Sequence, residues 1–90
     1  MNTYYVAGTN KNYTDAKPAI AIEAKSLTSA KSKATKLSAI NEDIANCDIV
    51  ILGDHIDSDG YIDRVLVIKA SLHFRSIPRW LDDARWVCRD

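Results

Sequence analysis

Ninety residues, 47% hydrophobic and 27% charged, make one small globular domain spanning residues 1–90 and argue against disorder. No apolar run approaches the roughly 20 residues of a membrane helix, and Met1-Asn2-Thr3-Tyr4-Tyr5 lacks the basic region and apolar core of a signal peptide, so a cytosolic chain with no membrane partner is expected. The net charge of zero is unevenly spread, because residues 1–40 carry six lysines against Asp15 and Glu23, whereas residues 41–90 carry six basic residues against ten acidic ones. Such asymmetry marks either a charged binding face or two halves that attract each other inside one domain.

Thr3 to Ala7 is rich in strand formers and runs to Gly8, which predicts a first strand. The polar stretch Thr9–Pro18 is a connecting loop. From Ala19 to Ala24, Ile20 and Ile22 alternate with alanines and project to one face of a second strand, paired with the first. Ser26 stands where a helix N-cap belongs, its hydroxyl placed to accept from an amide of the first turn. Leu27, Ala30, Ala34 and Leu37 then follow at spacings of three and four, which predicts an amphipathic helix to about Ala39. Thr28, Ser29, Ser32 and Thr35 lie off that stripe and face solvent.

Asn41-Glu42-Asp43 reads as a turn, and Asp48–Leu52 as a third strand ending at Gly53. Asp57-Ser58-Asp59-Gly60 is a turn signal, with Gly60 suited to positive φ. Val65–Ala70 is the fourth strand. Pro78–Trp86 fits a helix with Pro78 at its first position, or equally a hairpin turning at Asp82-Asp83 that brings Trp80 and Trp86 together across two strands. The expected fold class is therefore α+β: an antiparallel sheet of four to five strands on one main helix, in the order β-β-α-β-β, then a hairpin or short helix.

Chemistry-bearing motifs are sparse. The acidic run Asp54, Asp57, Asp59, Asp63 invites a calcium loop, but placing Gly60 at its sixth position puts His55 first and Leu66 twelfth, where carboxylates belong. Imidazole as a side-chain type suits general-base work near neutrality, which offers His55 and His73 as candidates, yet neither has a nucleophile or carboxylate partner in sequence. No phosphate-binding glycine loop or nucleophile elbow is present. No enzyme activity, cofactor or metal is expected. Cys47 and Cys88 share no ligand spacing with the histidines and are expected as free thiols in a reducing compartment.

Lys31, Lys33 and Lys36 form the remaining constellation. On a helical wheel Lys31 and Lys33 flank the apolar stripe on opposite sides and Lys36 points outward. One reading lays their alkyl stems over the core edge; the other makes them a modest electropositive face for phosphates or acidic protein, with Tyr4, Tyr5 and Tyr61 as added stacking surfaces.

The run Ile22-Glu23-Ala24-x-Ser26-Leu27-x-x-Ala30-Lys31-x-x-Ala34-x-Lys36, with the closing Arg85-Trp86-Val87, resembles a family of short phage proteins, the type I-F anti-CRISPR inhibitors. That resemblance implies one helix on an antiparallel sheet and binding to the backbone subunits of an RNA-guided surveillance complex. Pairing between guide RNA and target DNA is then obstructed without catalysis. It also implies that Lys31 and Lys36 match basic helix positions used at the interface, while Ser32 and Ser38 depart from the basic and amide-bearing residues expected there. The leading expectation is a phage-encoded inhibitor acting in the host cytoplasm on a host CRISPR-Cas complex, with Lys31, Lys33 and Lys36 as partner-binding residues. The alternatives are a small phage nucleic-acid-binding accessory protein using the lysines directly, or a structural or adaptor module with no nucleic-acid partner.

Overall fold

A computed structural model describes residues 1–10, 12, 14–70 and 87–88. The chain forms β1 (Asn2–Thr9), β2 (Ile20–Ala24), α1 (Leu27–Ile40), the single-turn α2 (Glu42–Ala45), β3 (Ile49–Ile56), β4 (Ile62–Ala70) and the short β5 (Val87–Cys88). The strands make one sheet in the order β2-β1-β3-β4-β5, with every neighbouring pair antiparallel. Since β2 and β3 both run against β1, they are parallel to each other, and the α1–α2 segment is the crossover between them. This is the α+β architecture that the periodicities predict.

Alternation along each strand sorts side chains onto two faces. One face carries Tyr4, Val6, Val50, Leu52 and Val67, which close on Ala30 and Ala34 of α1 and Ile44 of α2. Ala30 and Ala34 are fully buried, and having nothing beyond Cβ they let the helix lie close to the sheet. Leu27 and Leu37 complete the stripe at its margins. Ser26 caps α1 as expected, its Oγ accepting from the Ser29 amide at 3.2 Å. Asn41-Glu42-Asp43 is not the plain turn expected. The Asn41 amide closes α1 by donating to the Leu37 carbonyl, while its Oδ1 accepts from the Asp43 and Ile44 amides and starts α2. Glu42 and Asp43 then occupy the first turn, where carboxylates suit the positive end of a helix.

The opposite face buries Ala7, Ile49, Ile51 and Ile68, with Ile62 and Val65 packed against them. Here the expected boundaries need correction, because β3 does not stop at Gly53 and β4 begins at Ile62 rather than Val65. Gly53 is the bend of this hairpin instead of its end. Register shifts fall at Leu52/Gly53, Gly53/His55 and His55/Ile56, the irregularities that sharpen twist and turn a strand. A Cβ on Gly53 would sit 2.3 Å from the Arg64 carbonyl oxygen and 2.6 Å from Ile62 Cγ2.

The bend redirects the hairpin. Gly53 lies opposite Tyr5 and Ile20 lies opposite Val6, so a straight hairpin would carry residues 57–60 past the start of β1 and away from Ala19. Yet the Ala19 amide donates to the Gly60 carbonyl at 2.9 Å. The distal half, residues 54–64, is therefore an arm folded back over the helix-free face, with Ile62 beneath it. Its tip is the predicted turn: Asp57 Oδ1 accepts from the Asp59 and Tyr61 amides at 2.9 and 3.0 Å, and Gly60 has φ 89°.

The helix-or-hairpin expectation for residues 78–86 lies outside the described residues, as does His73. Val87 and Cys88 pair with Ile68 and Val67 of β4. Among the described residues no helix is long and apolar enough to cross a membrane.

Candidate partner-binding face

From Lys25 to Ile40 the chain holds four lysines and no carboxylate. Successive helix residues are about 100° apart around the axis, so the buried positions Ala30, Ala34 and Ser38 fix where each lysine points. Lys36 points away from the sheet. Lys31 and Lys33 leave on opposite flanks, as the wheel predicts.

The two flanks differ in what they meet. Lys33 reaches the edge strand, its ammonium donating to the Glu23 carbonyl of β2. Lys31 shares its flank with Thr35, whose hydroxyl donates to the Lys31 carbonyl at 2.9 Å and accepts from the ammonium of Lys69 at 3.2 Å. Lys69 comes up from β4 and is only 3% exposed, and burial lowers its pKa from the ordinary lysine value. Sequence reasoning passed over Lys69. The available signal was parity, since a residue two beyond Val67 in a strand must face α1 as Val67 does.

Between Lys31 and Lys36 the outer surface of α1 shows Thr28, Ser32, Thr35 and Ala39, all exposed and small. The ammonium groups of Lys25, Lys31 and Lys36 make no hydrogen bond or ion pair with described residues. Of the three lysines expected to act together, the structure thus leaves Lys36 exposed and Lys31 half-buried on its flank, neither with a partner among the described residues, and ties Lys33 to the edge of β2. Ser38, at a position where the resemblance implies an interface residue, is buried and donates to the Ala34 carbonyl at 2.7 Å. The tyrosines do not join this face. Tyr4 is core, Tyr5 lies on the helix-free side opposite Gly53, and Tyr61 stands on the arm.

Glu42 and Asp43 begin α2 on the helix side, and four further acidic residues collect elsewhere. Asp54, Asp57, Asp59 and Asp63 all belong to the arm, on the far side of the sheet from α1. Arg64 clamps Asp54 through Nε and Nη2 at 2.7 and 2.9 Å, and that hydrogen bond holds the carboxyl below the usual aspartate range. His55 Nδ1 lies 2.7 Å from Asp63 Oδ1, a partner supplied by hairpin register rather than by spacing in sequence. This pair is open to solvent, with the side chains 64% and 42% exposed. Among the described residues no three His, Cys, Asp or Glu side chains converge as a cation site.

The ion pairs formed between described residues are Lys17–Asp15, His55–Asp63 and Arg64–Asp54, each within its own half of the chain. The two halves are therefore not stitched together by these pairs. Lysines gather on α1 and four aspartates on the arm, while Glu42 and Asp43 stay on the helix side at the start of α2.

Two open concavities of about 320 and 400 Å³ adjoin α2 and the loop before β2, sharing Lys17 and Asp43. Cys47 lines the first of them. Its thiol is buried, donates to the Asp43 carbonyl at 3.0 Å, and burial pushes its pKa up, the reverse of what an attacking thiolate needs. Among the described residues, the outer surface of α1 is where lysines without an ion pair gather. Comparison of the chain with protein families, with characterised proteins and with solved structures returns no match.

Proposed function

We propose that this domain is a non-catalytic, phage-encoded inhibitor that binds a host RNA-guided surveillance complex through α1 and obstructs recognition of target DNA. One observation carries the reading: α1, which carries no carboxylate, offers Lys31 and Lys36 without partners among the described residues, at the positions that the strand–Ser-cap–helix motif marks for contact. Fourteen helical residues span about 21 Å, and with the adjoining strand edge they supply the footprint of a standard interface, roughly 800 Å² per partner. Inhibition of this kind needs occupancy and no chemistry.

The reading is tested by affinity capture with tagged protein from lysates containing a type I-F complex, treated with nuclease and analysed by mass spectrometry. Stoichiometric recovery of the complex, lost in Lys31→Glu/Lys36→Glu, is the expected result. Recovery of nothing from that system would remove the inhibitor reading.

A further inference from the structure

We infer that the outer face of α1 engages the sugar–phosphate backbone of a nucleic acid, so that the anion met by Lys31 and Lys36 is a phosphodiester. This rests on the proposal that α1 is the docking face and goes further by naming the chemistry it meets.

The first ground is the donor inventory. The polar groups there are the ammoniums of the exposed Lys25 and Lys36 and the half-buried Lys31, with the hydroxyls of Thr28 and Ser32. Ammonium groups only donate and hydroxyls donate readily, which is the set that phosphate oxygens accept from. A protein partner's surface mixes donors with acceptors. From Lys25 to Ile40 there is no carboxylate or side-chain amide to answer its lysines and arginines, and no aromatic or arginine anchor of the kind that dominates protein interfaces.

The second ground is the field. No acidic residue stands in the first turn of α1, so the positive pole of the helix is not neutralised and adds to the lysines. The aspartates of the arm lie beyond the sheet, and the carboxylates on the helix side, Glu42 and Asp43, follow the C-terminal end of α1, past the lysines.

The third ground separates nucleic acid from a lipid headgroup. Helices that lie on membranes insert an apolar face. The apolar stripe of α1 is already spent, with Ala30 and Ala34 fully buried against the sheet, and Ile40 at its C-terminal end is the one large apolar side chain it leaves exposed, too little to insert. The face also lacks Asn, Gln and Arg, the usual readers of base edges. Binding is accordingly indifferent to sequence.

The test is fluorescence anisotropy with the full chain and labelled random-sequence RNA and duplex DNA of about 20 nucleotides, across the salt range in which counterion release is read. Three phosphate contacts predict affinity falling by about 20- to 40-fold between about 50 and 200 mM salt. Lys31→Glu/Lys36→Glu should abolish that binding, and the milder Lys31→Gln/Lys36→Gln should weaken it and flatten the salt slope. Asp57→Asn/Asp59→Asn should leave it intact. No binding to either nucleic acid at the low-salt end overturns the inference. So does binding that ignores both lysine double variants, or binding to phosphatidylserine vesicles alone. Failure here with recovery of the nuclease-treated complex leaves the inhibitor reading standing on a protein contact; nucleic-acid binding without recovery of the complex does the opposite.

Discussion

The ammonium of Lys69 donates to the hydroxyl of Thr35 across 3.2 Å, joining the last core strand to the helix that carries the candidate face. Lys69 is buried and desolvation lowers its pKa below the ordinary 10.5. Between the lowered folded value and the unfolded one, the unfolded chain binds more protons than the folded chain, so stability rises with pH in that window. Below the window the cost of burying the charge is constant. Lys69→Met removes the titrating group, so its stability relative to the wild type should fall as pH climbs through that window toward the ordinary lysine value. Urea unfolding of both proteins at neutral pH and up the alkaline limb reads this directly, and a difference that stays constant with pH would rule out burial of charge as its origin.

Gly53 and Gly60 should respond to alanine for different reasons. At Gly53 the added Cβ meets backbone, the Arg64 carbonyl oxygen at 2.3 Å, which cannot swing aside as a flexible side chain can. Overpacking of this kind costs about 3 kcal/mol, and it should lift the arm, seen as earlier proteolysis within residues 54–64. At Gly60 nothing lies within 4 Å, but φ is 89°. Only the backbone preference is lost there, about 1–2 kcal/mol. Equal destabilisation by the two substitutions would argue against a bend locked by packing at Gly53.

What the sequence discloses and what it hides divide along physical lines. The stripe Leu27-Ala30-Ala34-Leu37 and the Ser26 cap are legible because helix period and capping are local properties. The bearings of Lys31, Lys33 and Lys36 follow from the same period. Gly53 is misread because a glycine after an apolar run signals a stop locally, while its actual role depends on Arg64 and Ile62 arriving from the next strand. The His55–Asp63 pair is hidden for a related reason, since three register shifts decide which residues face each other. Asn41 is legible as a breaker but not as a residue serving two helices at once, because that needs the chain to turn back onto Ile44.

Lys33 separates structural from docking roles among the three lysines. Its ammonium holds the Glu23 carbonyl on β2, the strand at the edge of the sheet, and a lysine in that place also discourages pairing with another chain. Lys33→Glu gives up this bond and sets a carboxylate beside a carbonyl, at a cost of about 1 kcal/mol or less. It should lower the melting temperature slightly while affecting partner binding less than Lys31→Glu or Lys36→Glu. Parallel thermal melts and binding titrations of the three single variants decide the matter. A Lys33 variant of unchanged stability that binds worst would make Lys33 a contact residue.

Cys47 is packed where Gly8 leaves room for it, since a Cβ at Gly8 would fall 2.5 Å from the Cys47 sulfur. The thiol is buried, donates to the Asp43 carbonyl, and has its pKa raised above the ordinary 9.0 chiefly by desolvation. Reaction with a disulfide reagent requires the thiolate and access to it. In a Cys88→Ser background, Cys47 is therefore expected to label on the order of a hundredfold more slowly than an exposed thiol, with the rate in urea rising as unfolding does. Gly8→Ala should raise the native-state rate, because the added methyl displaces the sulfur toward the concavity beside α2. Prompt, complete labelling of the folded wild-type Cys47 would show instead that the loop before β2 opens readily, and that this corner of the domain is held together less firmly than its packing indicates.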